Sequence, residues 1–433
     1  MGEWKKVRIG EFLTERQGRY KPDDNAIVTY KRLDKIDFSG TVHISEKPSK
    51  TDMIVVQPGD LVISGINVAK GAIAVYQGTE PVTATIHYSS YIFDDSVIDL
   101  EYFKYFVKSP AFIETLKKQA KGGIKTEIKP KVFLPLEISL PDLPTQKQIV
   151  KRISVNLKRV NELAKEIEAQ KLYVKQLRQN ILQDAIEGKL TADWRKEHPV
   201  QKGNPDYDAE ALFELIQKER KVDKKWKALP PILDAEKPFE LPTGWKWVRL
   251  GEVISIETHI VNSSDYLDSI QIAPDDIEKG TGELLENLRT VREKGVISVN
   301  HLFSKDALLY SKIRPRLRKI VYVDFEGLCS ADMYPLNTRM NKHFIKYLML
   351  SDYFDVEVYK FDNRVKMPKI NQFQLSSIKI PIIPLAEQNK IAEKIETVFT
   401  KCKQLEHEVS QCKRYINQTM QGVLKNAFGN NAK

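Results

Sequence analysis

A stretch of about forty residues occurs twice in this chain, first as QKQIVKRISVNLKRVNELAKEIEAQKLYVKQLRQNILQDA at 146–185 and again as QNKIAEKIETVFTKCKQLEHEVSQCKRYINQTMQGVLKNA at 388–427. The copies align without a gap at a constant offset of 242, which pairs Gln146 with Gln388. Agreement over so long a segment indicates an internal duplication. Neither copy contains proline, and Gly422 is the only glycine in either, so each predicts one long uninterrupted helix.

Each predicted helix carries an apolar residue at every seventh position, which places five side chains on one seam. β-Branched residues at such a seam suit a two-stranded coiled coil, and the nearest cover for each seam is the other copy. For a single copy, packing on its own domain is an equally good interpretation. The companion positions are less regular, so we expect part of that face to meet something other than the paired helix. The seam, which is the predicted coiled-coil and subunit interface, consists of Ile153, Val160, Ile167, Val174, Ile181, Ile395, Cys402, Val409, Ile416 and Val423.

A second repeat opens the region before each helix, as WKKVRIGEF at 4–12 and WKWVRLGEV at 245–253. The two blocks begin and end alike but differ in the middle, and their short strand-like segments and helix pairs indicate a mixed α/β fold. The shared beginning and end of the blocks form a repeated frame. Because the interiors within this frame are dissimilar, we predict two domains that recognise different targets. The expected domains are a first block at 1–145, a long helix at 146–190, a linker with a short helix at 191–239, a second block at 240–386 and a long helix at 387–433.

Composition favours a soluble globular protein that works inside the cell. The 433 residues are 42% hydrophobic and 29% charged, with no apolar run of membrane-spanning length and no secretion signal, so we expect a cytoplasmic protein. Three cysteines are too few for a disulfide framework. The net charge of +10 lies mostly in the long helices, because each block holds 20 basic and 19 acidic residues. Any nucleic-acid argument therefore depends on local clusters.

The densest cluster is in LYSKIRPRLRKIVYV of the second block, where no acidic residue lies between Ala307 and Val323. Pro315 predicts a turn between two strands, and cations on a turn can neutralise DNA phosphates. The alternative is an ordinary solvated hairpin. The cluster consists of Lys312, Arg314, Arg316, Arg318 and Lys319.

The first block has only Lys70 in the matching loop, and its charge comes later, in LKKQAKGGIKTEIKPK. The later cations of both blocks are predicted to contact DNA, with solvated loops as the alternative. They are Lys117, Lys118, Lys121, Lys125, Lys129 and Lys131 in the first block, and Lys360, Arg364, Lys366 and Lys369 in the second. Candidate base readers, which the sequence does not rank, are Arg19, Asn67, Gln271 and Asn363.

No catalytic constellation accompanies these clusters. The chain has no GxxxxGK[ST] loop, no HExxH and no paired CxxC, so no metal site is expected. NPDY at 204–207 departs from the Asn-Pro-Pro-aromatic loop of amino-methyltransferases at its third residue and lies in the linker. PDDIEK at 274–279 is too compressed for a nuclease site and is interpreted as an acidic turn. These observations favour a binding protein.

Four phrases, LPTGWKWVRLGEV, LYSKIRPRLRKIVY, IPIIPLAEQNKIAEKIE and LRQNILQDAIEGKLTADWR, make the chain similar to the specificity subunit of type I restriction-modification systems. The resemblance covers essentially the whole chain. It implies an α+β fold of two target-recognition domains, each reading half of a split DNA site, joined by two helices in an antiparallel coiled coil. It implies phosphate contact above all for Lys312, Arg314 and Arg318. Lys70 is also predicted to contact DNA, although its loop, SGINVAKG, lacks the basic form.

The resemblance also implies partners and cofactors. The chain would be non-catalytic and bind no cofactor, while two methyltransferase subunits bind S-adenosylmethionine and methylate adenine N6 and two motor-nuclease subunits use ATP and Mg. Two other interpretations remain open: a scaffold that joins two ligand-binding modules unrelated to DNA, and a self-sufficient modification enzyme.

Overall fold

A computed structural model describes residues 4–38, 40–47, 49–66, 72–119, 129–220, 229–361 and 368–428. The chain forms two compact units, unit 1 with Met1–Ala169 and Val409–Lys433, and unit 2 with Gln170–Glu408. Each unit therefore combines one block with part of both long helices. None of the described helices is long and apolar enough to cross a membrane.

Unit 1 contains ten described strands in three sheets. The strands are β1 Lys5–Arg8, β2 Leu13–Glu15, β3 Arg32–Ile36, β4 Val42–Ser45, β5 Met53–Val56, β6 Leu61–Ser64, β7 Ile73–Val75, β8 Val82–Thr85, β9 Tyr88–Phe93 and β10 Glu137–Leu140. The sheets have the orders β1-β10, β2-β9-β6-β7 and β4-β3-β8-β5. The helices are α1 Leu100–Val107, α2 Pro110–Gln119, α3 Pro130–Phe133 and the long α4 Leu143–Ile186, which continues into unit 2.

Unit 2 repeats this plan with ten more strands. The strands are β11 Lys246–Arg249, β12 Ile254–Ile256, β13 Ile260–Val261, β14 Gln271–Ile272, β15 Asn300–Phe303, β16 Ala307–Ser311, β17 Ile320–Val323, β18 Gly327–Ser330, β19 Met333–Thr338 and β20 Lys379–Ile382. The sheets are β11-β20, β12-β19-β16-β17 and β13-β15-β18-β14. The helices are α5 Ala192–Glu197, α6 Ala209–Arg220, α7 Leu250–Val253, α8 Val291–Lys294, α9 Lys342–Leu350, α10 Asp352–Tyr359, α11 Gln372–Ser377 and the long α12 Leu385–Phe428, which continues into unit 1.

The two units share a frame and differ at its edge. Their first two sheets have matching strand orders, and in the third sheet β8 and β18 each lie between an antiparallel and a parallel neighbour. The outermost strand of this sheet differs between the units. In unit 1 β4 pairs with β3, the parallel neighbour of β8, whereas in unit 2 β13 pairs with β15, the antiparallel neighbour of β18. The mixed α/β class predicted from the sequence, with a repeated frame and dissimilar interiors, is confirmed.

A buried glutamine amide joins each long helix to its block. In unit 1 the Gln146 side chain accepts a hydrogen bond from Asp99 N at 2.7 Å and donates to the Pro141 carbonyl at 2.8 Å. In unit 2 Gln388 accepts from Asn341 N at 2.8 Å and donates to the Ile383 carbonyl. Asp99 and Asn341 are the N-cap residues of α1 and α9, so the same amide fixes the helix pair against the long helix in both units. This contact explains why the repeat begins at these glutamines.

Within each unit the two long helices lie antiparallel. In unit 1 Ile153 shares a core with Leu424 and Phe428, and Lys413 Nζ lies 2.7 Å from Glu168 Oε1. The unit 2 contacts are Arg178 Nη2 with Glu406 Oε2 at 3.1 Å, and Ile181 packed in the same core as Ile395. Every residue of the predicted seam is buried or half-buried.

Residues 191–239 are more than a connector. The α6 side chains Leu212 and Ile216 are buried in the core of unit 2. The buried Glu387 at the start of α12 accepts hydrogen bonds from Thr191 Oγ1 at 2.6 Å and Trp245 Nε1 at 2.8 Å, and its carboxylate pairs with Arg195 at 2.8 Å. The described residues of the predicted linker are thus packed into unit 2 by a buried carboxylate and a hydrophobic helix.

The NPDY segment has a structural role at the same place. The Pro205 and Asp206 carbonyls accept hydrogen bonds from Leu385 N and Ala386 N, each at 3.1 Å. These amides belong to the first turn of α12, where backbone N–H groups have no hydrogen-bond acceptor within the helix. NPDY therefore caps α12.

We expect Phe428→Ala to loosen unit 1, because the Phe428 ring packs edge-on against Tyr102 and Phe106 in its core. Removing a buried phenyl ring costs about 3–5 kcal/mol. Hydrogen exchange of the α1 amides should accelerate by at least about 100-fold, since about 1.4 kcal/mol is a factor of ten. Tyr415→Ala is the matched control, because Tyr415 lies on the same helix and is 64% exposed. Equal exchange rates in the two variants would contradict this packing.

Candidate nucleic-acid interface

The predicted basic cluster of the second block forms the turn between β16 and β17. Pro315–Leu317 is a short 3-10 turn, as the proline suggested, and the flanking Arg314 and Arg318 have φ values of 45° and 50°. Left-handed backbone is uncommon for a residue with a side chain and costs free energy. Surrounding contacts must hold this turn in shape.

Arg318 and Lys319 supply some of those contacts. Arg318 Nη2 lies 2.7 Å from Asp352 Oδ1 and 3.0 Å from Asp355 Oδ2, and its Nη1 donates to the Leu350 carbonyl at 3.2 Å. The Lys319 ammonium donates to the Pro274 carbonyl at 2.6 Å. Both cations, predicted to contact DNA, are mostly buried and partnered within unit 2. We therefore leave them out of the proposed interface.

Of the other three cations of the turn, Arg314 and Arg316 are exposed and Lys312 is half-buried. Arg314 is exposed, and its side chain has no hydrogen bond or ion pair among the described residues. The Arg316 side chain is 53% exposed, with its guanidinium 4.8 Å from the centre of the Tyr359 ring and its Nη2 3.6 Å from Asp355 Oδ2, so its charge is partly compensated. Lys312 is half-buried, with Nζ 5.4 Å from the centre of the Tyr334 ring. Stacking on an aromatic ring orients a cation without neutralising its charge.

The structure brings the second basic segment of this block beside the turn. Arg314 N donates to the Pro368 carbonyl at 2.8 Å, Ile370 N donates to the Lys312 carbonyl at 2.9 Å, and Lys369 Nζ lies 3.2 Å from Asp332 Oδ1. The two predicted clusters thus form one surface. Of the predicted contacts in this segment, Arg364 and Lys366 lie outside the described residues, so their positions stay predictions.

In unit 1 the corresponding place is a cleft of about 640 Å³. Arg19, Lys129 and Lys131 line it together with His87 and Tyr88. His87, which no sequence motif singled out, lies on the turn between β8 and β9, where unit 2 has Asp332 between β18 and β19. Matching the two frames strand by strand would have found it. The predicted contacts Lys70, Lys121 and Lys125 lie outside the described residues.

The candidate base readers can now be separated. Gln271 is 3% exposed and donates to Asn300 Oδ1 at 3.0 Å inside unit 2, so it is a core residue and the sequence-based suggestion was wrong. Asn67 and Asn363 lie outside the described residues. Arg19 is exposed in the cleft of unit 1, where a duplex could reach it.

The long helices carry a second exposed surface. Leu163 and Leu405, which align in the repeat, are 53% and 44% exposed, and the aligned Tyr173 and Tyr415 are 65% and 64% exposed. Unit 1 thus presents one leucine and one tyrosine, Leu163 and Tyr415, and unit 2 presents Leu405 and Tyr173. Because exposed apolar side chains recur at matching positions of the two copies, these positions are candidates for a contact with another protein.

The carboxylates, histidines and cysteines of the described residues are the side chains that bear on the sequence-based expectation of no metal site. None of their His, Cys, Asp and Glu side chains form a group of three or more suited to a metal ion. Burial raises the pKa of the Cys329 thiol to about 12, so that it stays protonated at neutral pH. In the PDDIEK segment Asp276 forms an ion pair with Lys294 at 2.5 Å. That carboxylate serves the fold of unit 2.

We expect Arg314→Ala and Arg316→Ala each to weaken binding to duplex DNA of any sequence. Removing one phosphate contact should lower the slope of log affinity against log salt by about 1. Fluorescence anisotropy with duplexes of two unrelated sequences over a salt series measures both effects. Lys237→Ala is the matched control, because Lys237 is an exposed cation of unit 2 that is not part of the turn between β16 and β17. Unchanged slopes in both arginine variants would contradict a phosphate role.

Known proteins resemble this chain over nearly its whole length. The EcoDI specificity subunit of Escherichia coli is 28% identical over 426 residues, covering 98% of this chain and 88% of that protein. A structure of the type I restriction-modification system covers 99% of this chain and 97% of its own, with a TM-score of 0.67 at 17% identity. The HsdS subunit from Thermoanaerobacter tengcongensis has a TM-score of 0.51 at 17% identity, with the same two coverages.

The family whose description is "Type I restriction modification DNA specificity domain" matches residues 1–170 and 242–411. Its two matches coincide with the two copies of the repeated frame and the beginnings of both long helices. The chain belongs to the type I restriction-modification DNA specificity family and carries two copies of that family's domain.

Proposed function

We propose that this chain is the DNA specificity subunit of a type I restriction-modification complex and reads one half of a bipartite site with each block. One observation carries the proposal: the same β frame occurs twice, and each copy has an exposed cationic surface at the same place. A repeated scaffold with two different surfaces suits two different half-sites.

Two kinds of DNA contact are proposed: contacts that position the protein on the duplex and contacts that read its base sequence. Arg314 and Arg316 are suited to phosphates, because guanidinium groups bind them with two hydrogen bonds and both side chains reach solvent. Such contacts place the protein on the duplex without reading it. Sequence is then read by side chains that point from the rigid frame into a groove.

The proposed partners are two methyltransferase subunits and two motor-nuclease subunits. The paired exposures of Leu163 with Leu405 and of Tyr173 with Tyr415 support two copies of one partner, because each unit offers the same pair of residue types. In this proposal S-adenosylmethionine is bound by the methyltransferases, and ATP and Mg by the motor-nuclease subunits. The chain then works in the cytoplasm and contributes no catalytic group.

The wild-type chain should select a split sequence from a library of randomised duplexes, with two short defined parts separated by an undefined spacer. The two dissimilar surfaces predict two dissimilar half-sites. Sequencing of the retained DNA measures this selection. Recovery of random sequence would contradict the proposal and favour a scaffold unrelated to DNA.

The purified chain with S-adenosylmethionine alone should transfer no methyl group to DNA, as judged by mass spectrometry, and transfer would indicate a self-sufficient enzyme.

The exposed leucine and tyrosine of each unit should hold one methyltransferase subunit. Changing Leu163 and Tyr415 to Asp should reduce the number of bound methyltransferase subunits from two to one, because charge is costly at an apolar contact. Changing Leu405 and Tyr173 should have the same effect, and native mass spectrometry of the complex counts the copies. Asn180→Asp, an exposed polar change on α4, is the control. Two bound copies in every variant would contradict this surface.

A further inference from the structure

The two units place different side chains at one equivalent position of the frame. The opening repeat, with Trp4 matching Trp245 at an offset of 241, pairs Arg19 with Ile260. The strands give the same match independently. Tyr20 forms an antiparallel bridge with Met53, the first residue of β5, and Val261 pairs antiparallel with Asn300, the first residue of β15. Arg19 and Ile260 each directly precede the residue that makes this contact.

Both side chains reach solvent from a fixed backbone. Ile260 is 61% exposed, although it lies in β13 and pairs with His301. Arg19 is exposed and has no side-chain hydrogen bond or ion pair among the described residues. On one side of Arg19, Arg16 N donates to the Ser90 carbonyl at 2.8 Å, and on the other Tyr20 N donates to the Met53 carbonyl at 2.9 Å.

The backbone before Arg19 is held particularly firmly. The Arg16 guanidinium binds Asp60 through two hydrogen bonds, of 2.6 and 2.8 Å, and this carboxylate is buried. Gly18 has φ 122°, a conformation that side chains disfavour, and it turns the chain toward the cleft. These contacts fix the point at which the Arg19 side chain leaves the backbone.

Both positions border the cationic surfaces of their units. Arg19 lines the same cleft as Lys129 and Lys131. Beside Ile260, Val261 pairs with Asn300, and Asn300 pairs in turn with Ser330 of β18. Two residues after Ser330, the Asp332 carbonyl accepts a hydrogen bond from Lys312 N at 3.0 Å, so the basic turn begins next to these strands. Ile260 and Val299 are both exposed apolar side chains of the β13–β15 pair and its approach, and together they are the apolar patch. The charge around the patch favours DNA as the molecule that covers it.

We propose that Arg19 and Ile260 are specificity-determining residues, Arg19 reading a guanine of one half-site and Ile260 contacting the methyl group of a thymine in the other. The inference rests on the proposed function. An arginine forms two hydrogen bonds with guanine O6 and N7 in the major groove, which no other base offers in that arrangement. An exposed aliphatic side chain has no hydrogen bond to give and recognises the thymine methyl group by apolar contact.

Base analogues test the two contacts separately in the full-length chain. The wild-type sequence is first selected from randomised duplexes, and its guanines are then replaced one at a time by 7-deazaguanine and its thymines by uracil. One 7-deazaguanine should weaken wild-type binding about 10-fold or more and have no effect on Arg19→Ala. One uracil in the other half-site should weaken wild-type binding several-fold and have no effect on Ile260→Ala.

Two controls separate reading from general binding. Lys35→Ala and Leu233→Ala remove an exposed cation of unit 1 and an exposed apolar side chain of unit 2 outside these surfaces, and both should keep the full response to the analogues. Ile260→Arg should change the base selected at one position of its half-site.

The outcomes distinguish the two proposals. If the wild-type chain selects no sequence, the proposed function fails. If it selects a split site but each analogue has the same effect in the variant as in the wild type, the proposed function stands and this inference is wrong. Loss of affinity with an unchanged selected sequence would make Arg19 a phosphate contact and would also overturn the inference. Loss of methyltransferase binding in Ile260→Ala with unchanged DNA selection would assign the patch to the partner subunit.

Discussion

The antiparallel packing of two long helices within each unit is the contact on which the rest of this structure depends. The core of unit 1 is completed by Leu424 and Phe428, which lie 271 and 275 positions after Ile153 in the chain. The core of unit 2 is completed by the end of α4 in the same way. Neither block can bury its apolar surface with local sequence alone, so the fold requires both helices at once. The buried amides of Gln146 and Gln388 then fix where each helix begins.

The frame also determines which cations are available for binding. Five basic residues lie within eight positions around Pro315, yet the structure divides them by role. Arg318 and Lys319 bind carboxylates and carbonyls of unit 2 and hold a turn with two left-handed arginines. Arg314 and Arg316 are thereby presented to solvent with their charge uncompensated or only partly compensated. The proposed phosphate-binding turn needs both kinds of residue, because an unsupported turn would lose its shape.

Duplication with divergence explains how one scaffold can read two sequences. Strand orders are preserved wherever side chains are buried, since a change there would disturb packing. Differences lie at the outer strand of the third sheet and at positions such as Arg19 and Ile260, where no packing is lost when a side chain changes.

The sequence by itself determined the duplication, the two long helices and their seam, the strand-rich blocks and the turn at Pro315. These features follow from periodicity and backbone chemistry, which are local. Only the tertiary structure decided that Gln271 is a core residue, that residues 191–239 belong to unit 2, and that Arg318 faces Asp352 and Asp355 instead of solvent. The physical reason is that burial and charge pairing depend on residues far apart in the chain, so neighbouring residues with the same chemistry can take opposite roles.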